Sequence, residues 1–144
     1  MKRAMLGMAL LWCLPWSAWA AVDSETRCFS ADNGGKPVHL QFTVVGDADA
    51  DAGWQAAYVR YGKRGRPITL AWLRGEHEIL AEDRPWQFTD EWLEIVDGKV
   101  HGRYTTVHQG ARYYGFHYRG GDGREVEFAE DLAALDASGR RCAW

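Results

Sequence analysis

The sequence predicts an all-β domain: a small antiparallel β-barrel or sandwich of about eight strands, with one short C-terminal helical turn and its termini joined by a disulfide. Three observations carry this expectation. Short β-branched and aromatic runs recur along the chain, glycine-containing turns separate most of them, and one cysteine stands near each end of the expected mature chain.

The first element is a processing segment. Lys2 and Arg3 give a positive start, an apolar stretch follows from Ala4 to Pro15, and Ala18-Trp19-Ala20 offers small residues at cleavage positions. Residues 1–20 are therefore expected to be a cleaved signal peptide, and residues 21–144 a single exported, periplasmic β-domain. The apolar run is shorter than the roughly 20 residues of a membrane-spanning helix, so no membrane span is expected. Cys13 lies inside that run, behind Leu11 and Trp12, and would be discarded with it.

Two cysteines then remain, Cys28 and Cys142, and an even count in an exported chain implies a disulfide. Without residues 1–20 the chain has fifteen basic residues against twenty acids, a net charge of −5 with histidines neutral. Such a balance disfavours nucleic acid and favours a cationic partner.

The strand-like runs are residues 38–45, 54–61, 68–73, 86–88, 92–96, 100–107, 111–118 and 125–128. Turns are expected at 33–35, 46–47, 62–67, 97–98, 108–110 and 121–123, and residues 129–137 look helical for barely two turns. A two-residue turn at Asp97-Gly98 sets Ile95 opposite Val100 and Glu94 opposite His101. Three-residue loops at 108–110 and 121–123 then set His101 opposite His117, and His117 opposite Glu127. In that register Leu93, Ile95, Val100, Tyr104, Phe116, Tyr118, Val126 and Phe128 share the core face. Glu94, His101, His117 and Glu127 form a transverse row on the wet face, flanked by Trp92, Arg103, Tyr113 and Arg119.

Two imidazoles between two carboxylates have the donor chemistry of a zinc or iron site, and a cross-strand charge ladder explains the same residues without a metal. No cofactor is otherwise implied. The alternating aspartates of residues 46–53 look calcium-like, but Ala52 and Tyr58 stand where a calcium loop needs glycine and glutamate, so a solvated hairpin tip is expected. Glu76-His77-Glu78 lacks the second histidine of a zinc motif and is expected to be a turn, with Trp86 in the core. Catalysis is not expected. Both mature cysteines are claimed by the disulfide, the mature serines are Ser24, Ser30 and Ser138 near the ends, and no motif places two carboxylates in a cleft.

Around Gln109-Gly110-Ala111-Arg112-Tyr113, followed by Arg119-Gly120 and residues 125–128, the chain resembles the periplasmic and membrane-bound inhibitors of C-type lysozyme. The resemblance covers about twenty residues and the placing of the two cysteines. It implies a small antiparallel barrel with a loop that reaches the acidic catalytic groups of a cationic, envelope-degrading enzyme. Gly110 and Tyr113 match the family's Ser-Gly-x-x-Tyr motif, Gln109 stands in place of its serine, and Arg119 in place of a lysine further on.

The expected function is therefore neutralisation of an enzyme that attacks the cell envelope, of lysozyme-inhibitor or toxin-immunity type. His108, Gln109, Gly110, Arg112 and Tyr113 would form the contact loop, with Trp92, Arg103 and Arg119 as flanking anchors. The alternative is a small-ligand or metal-binding envelope protein using Glu94, His101, His117 and Glu127.

Overall fold

The computed structural model describes residues 22–47 and 55–144. The expected signal peptide, residues 1–20, and most of residues 46–53, expected as a hairpin tip, lie outside the described residues. Eight antiparallel strands follow one another around a closed barrel: β1 (Val22–Asn33), β2 (Lys36–Asp47), β3 (Gln55–Tyr61), β4 (Ile68–Glu78), β5 (Gln87–Val96), β6 (Lys99–Gln109), β7 (Arg112–Gly120) and β8 (Glu125–Glu130). Closure comes from β1 meeting β8 through Phe29 opposite Glu130 and Ser30 opposite Ala129. Among the described residues no helix is long and apolar enough to cross a membrane.

The element boundaries differ from expectation in several places. β1 was absent from the expected runs, because Ser24, Glu25, Thr26 and Arg27 hide its alternation; Thr26, Cys28 and Phe29 are buried. The runs at 86–88 and 92–96 belong to one continuous neighbourhood, with Thr89, Asp90 and Glu91 carrying β5 between them. The expected helix at 129–137 shrinks to a single 3-10 turn at Leu132–Ala134, because β8 continues to Glu130 to close the barrel.

Aromatic rings fill the interior. Phe29 packs on Phe116 with centroids 4.3 Å apart, Phe42 meets Trp92 at 5.9 Å, and Leu40, Val59, Leu70, Tyr104 and Phe128 complete the core. Outside the barrel wall, the C-terminal segment folds back over β1 and β2. Cys28 and Cys142 form the expected disulfide, with Cα atoms 5.7 Å apart. The Cys142 amide donates to Gln41 Oε1 at 3.3 Å, and Trp144 stacks on His39.

Turn chemistry was partly as expected. Asp97 and Gly98 both have positive φ, and Ile95 does face Val100. Beyond that pair the register shifts: Glu94 faces Gly102, leaving His101 as an extra residue. This bulge reverses the faces of β5. Trp92 and Glu94 point into the barrel, with exposures of 1% and 5%, whereas Val100 is 59% exposed. The expected inward placing of Leu93, Ile95 and Val100 is thereby corrected, while Tyr104, Phe116, Tyr118 and Phe128 are buried as expected.

The inward carboxylate of Glu94 is satisfied by tyrosines. Tyr104 donates its hydroxyl hydrogen bond to Oε1 at 3.1 Å and Tyr118 donates to Oε2 at 2.9 Å. Tyr61 joins the Tyr104 hydroxyl at 2.7 Å. Burial and the Glu94 carboxylate push the Tyr118 hydroxyl up to about 12, so it stays a donor at physiological pH. Gly102 makes room for this arrangement, since a Cβ there would stand 2.5 Å from the Tyr118 ring.

The disulfide spans a sequence separation of 114 and holds β1, the strand that closes the barrel, against the C-terminal segment. Replacing both Cys28 and Cys142 by alanine is expected to lower unfolding free energy by roughly 4–5 kcal/mol on the chain-entropy account. Urea titration of the oxidised wild type and the double variant measures it; coincident midpoints would show that closure does not depend on the bridge.

Candidate functional site

Antiparallel succession puts the β4–β5 and β6–β7 connections at the same end of the barrel. There the two hairpins touch. The Gln109 side-chain amide donates to the Pro85 carbonyl at 2.6 Å, and Gly110 and Ala111 form a two-residue turn rather than the expected three-residue loop. Gly110 has φ 57°, a conformation glycine adopts without strain. A second irregularity, between Val107 and His108, leaves Tyr114 as the extra residue, 56% exposed. The Arg112 guanidinium lies 5.3 Å over the Tyr114 ring, so both side chains stand together beside the tip.

Behind the tip, His108 lies between two rings, Phe88 at 5.3 Å and Tyr113 at 5.0 Å. Its Nε2 is 3.5 Å from Asp90 Oδ2 and its Nδ1 is 3.3 Å from the Gly110 carbonyl. Both ring nitrogens thus face acceptors, and only the imidazolium has a proton for each. The hydrogen bond to Asp90 accordingly raises the His108 pKa, against the opposing effect of burial and with help from the Gly110 carbonyl. The other oxygen of Asp90 accepts from Trp72 Nε1 at 3.1 Å.

Tyr113 is half-buried. Its ring meets Phe29 edge-on at 5.7 Å and lies under the Arg27 guanidinium, and its amide donates to Glu130 Oε2 at 3.2 Å. Arg27 also pairs with Glu130 and Glu25. The contact-loop tyrosine is therefore part of the wall, with burial holding its hydroxyl well above the ordinary value. On the other side, the aromatic series continues from Phe88 to His77 at 6.1 Å and to Trp86 at 4.9 Å.

The structure brings His108, Gln109, Gly110, Arg112 and Tyr113 together at this tip. It does not bring the expected anchors to them. Trp92 is in the core, so it offers no surface to a partner. Arg103 and Arg119 face each other across β6 and β7 and pair with Glu91 at 2.9 Å and Glu125 at 3.5 Å. Arg119 lies six residues beyond Tyr113, roughly 20 Å along an extended strand.

The row of Glu94, His101, His117 and Glu127 does not form either. His117 does face Glu127, as expected, but His117 also faces Thr105 rather than His101, and Glu94 points into the barrel. The bulge at His101 moves the partner of Glu94 by one residue, to Gly102, while the turn at Gly110-Ala111 and the bulge at Tyr114 together move the partner of His117 by four, from His101 to Thr105. Among the described residues no three His, Cys, Asp or Glu side chains converge as metal ligands would.

Several residues of this end escaped the sequence reading. Trp86, expected in the core, is 47% exposed, and Glu76-His77-Glu78, expected as a turn, is the end of β4. The missed signal was alternation: Phe88, Asp90 and Trp92 fall on one face of β5, opposite His77, Gly75 and Trp72 of β4. Between β3 and β4 opens a cleft of about 770 Å³, lined in part by Trp72, His77, Phe88 and Asp90.

Family models, curated proteins and solved structures were all compared with the chain, and none matches it.

A raised histidine pKa stabilises the fold below the unfolded value near 6.5, and that stabilisation is lost as pH rises through the folded value. His108→Gln is therefore expected to destabilise the protein more at about pH 5.5 than at about pH 8.5. Paired urea titrations read the difference; an equal loss at both pH values would mean that the Asp90 contact does not favour the imidazolium.

Proposed function

We propose that this chain is an exported binding protein that neutralises a cationic, envelope-degrading enzyme, of lysozyme-inhibitor or toxin-immunity type. Its binding end is the one carrying the β4–β5 and β6–β7 hairpins. The observation that carries the reading is a one-sided surface. Of the ten large exposed apolar side chains among the described residues, seven lie toward this end, Trp72 and Leu73 lie mid-strand on β4, and Val100 lies toward the opposite end. Apolar surface gathered at one end of a small domain marks an interaction site.

Within that end, Trp86 and Tyr114 supply exposed aromatic area, and Arg112 supplies a charge with room to pair. Aromatic and arginine side chains of this kind dominate binding energies at protein interfaces. The tip is also pre-ordered, since Gln109 is tied to Pro85 and His108 to Asp90, which lowers the ordering cost of association. The resemblance around Gln109 to Tyr113 falls on this same tip. The acidic balance of the chain favours encounter with a cationic enzyme.

A small-ligand role has one observation in its favour, the cleft between β3 and β4, whose volume is in the range of small-molecule sites. The enzyme-binding reading accounts for both hairpins and for the exposed aromatics beyond the cleft.

The two readings separate by pull-down with the mature, oxidised protein against C-type lysozyme and a panel of other envelope-degrading enzymes. Capture is expected to weaken as salt rises. Arg112→Glu and Trp86→Ala are each expected to weaken it about tenfold or more, with little change in melting temperature. Capture of no enzyme, or equal capture by both folded variants, would overturn the proposal.

A further inference from the structure

We infer that β4 is a self-association edge, at which two copies of this chain join into one continuous antiparallel sheet. The inference is independent of the enzyme-binding reading. It starts from the uneven pairing of β4: against β5 it makes nine residue pairs, but against β3 only three, from Ile68 to Leu70. From Ala71 to Glu78 the edge turned away from β5 has no strand beside it among the described residues. All eight residues of that stretch are exposed.

A free strand edge presents unpaired N–H and C=O groups, and proteins commonly blunt such edges with lysine or proline. Neither residue occurs between Ala71 and Glu78, and the one irregularity of this stretch against β5, at Leu73, lies outside the run from Arg74 to Glu76 that would pair. The charges present are Arg74, Glu76 and Glu78, and their spacing selects a partner. When a sheet continues across a two-fold axis perpendicular to it, every side chain keeps its own face, so the axis passes through a residue. Centred on Arg74, the pairing sets two arginines opposite each other. Centred on Glu76, it sets two glutamates opposite each other. Centred on Gly75, it sets each Arg74 opposite the Glu76 of the other copy, twice, with no like charges facing.

Gly75 suits that position for a second reason. A Cβ on it would stand 2.6 Å from Asp90 Oδ1, so the residue at the axis is held bare by the Trp72 and Asp90 contact. Arg74 and Glu76 lie on the same face and already approach within 3.9 Å in one chain. Pairing across the axis would extend this contact into a four-residue charge ring.

Sedimentation equilibrium of the mature, oxidised protein from roughly 1 μM to 1 mM tests the inference, that range covering the affinities of small interfaces. A concentration-dependent doubling of mass is expected. Arg74→Glu places four carboxylates around the axis and Glu76→Arg places four guanidiniums, so each variant alone is expected to remain monomeric. An equimolar mixture of the two restores opposite charges at both pairs and is expected to dimerise. Melting temperatures check that each variant is folded, and Glu76→Arg, which leaves the Arg74 contact with Glu91 intact, keeps the test open if Arg74→Glu is unstable. A wild type that stays monomeric throughout, single variants that dimerise like the wild type, or a mixture that stays monomeric would each overturn the inference.

Discussion

Closure of the sheet is the constraint on which the rest of the structure depends. Eight strands form a ring only if the first meets the last, and here that contact is short, Phe29 with Glu130 and Ser30 with Ala129. Two backbone pairs are little to hold a barrel shut. They are reinforced from both sides of the wall: inside, Phe29 packs on Phe116, and outside, the disulfide and the Cys142 amide fasten the returning chain to β1 and β2. Arg27 with Glu130 adds a polar tie across the same seam. The inside contacts order the rings at the hairpin end as well, because Phe29 is also the neighbour of Tyr113. Seam and candidate site are thus joined through one side chain.

The filling of the ring explains where the sequence could be read and where it could not. The all-β barrel class, the Asp97-Gly98 turn and the disulfide were legible, because glycine turns and cysteine placing are local or nearly so, although the expected eight runs missed β1 and split β5 in two. The face of β5 was not. Leu93 and Ile95 present an aliphatic alternation that points the wrong way, and Trp92 with Glu94 lies on the other phase. Magnitudes decide between them. Losing a buried aromatic from a core costs about 3–5 kcal/mol, whereas the Trp92 indole N–H, which has no hydrogen-bond partner, costs about 1–3 kcal/mol. Burying Trp92 is still favourable. The carboxylate that follows it inward is acceptable because two tyrosine hydroxyls reach it from β6 and β7, a long-range fact no local pattern records.

The histidines follow from the same cause. A one-residue bulge is invisible in a polar stretch, yet each one moves every later pair, and the strip between residues 98 and 128 contains two, besides a turn at Gly110-Ala111 that displaces the β6–β7 pairing by three residues more. His101, His108 and His117 consequently have three unrelated surroundings. His101 is the extra residue of a bulge, His117 faces Glu127 on the outer wall, and His108 is held between Phe88 and Tyr113. Gly110 was a local signal for the tip and was read correctly. Asp90, which orients His108, sits eighteen residues away on β5 and became visible only through the pairing of strands.

The two ends of the barrel are chemically opposed, and this opposition bears on function more than any single residue does. Toward the β5–β6 turn, Tyr61, Tyr104, Tyr118 and Glu94 close the interior with a chain of hydrogen bonds whose members satisfy one another. Groups so paired have little to gain from a partner. Toward the β4–β5 and β6–β7 turns, the interior is continued outward by rings in series, from Tyr113 through His108, Phe88 and His77 to Trp86, each more accessible than the core they extend. Apolar area there remains exposed to water, and association is the process that removes it. The ends therefore differ in what they leave unsatisfied: the tyrosine–glutamate end completes the fold, and the aromatic end keeps apolar area whose burial would be favourable.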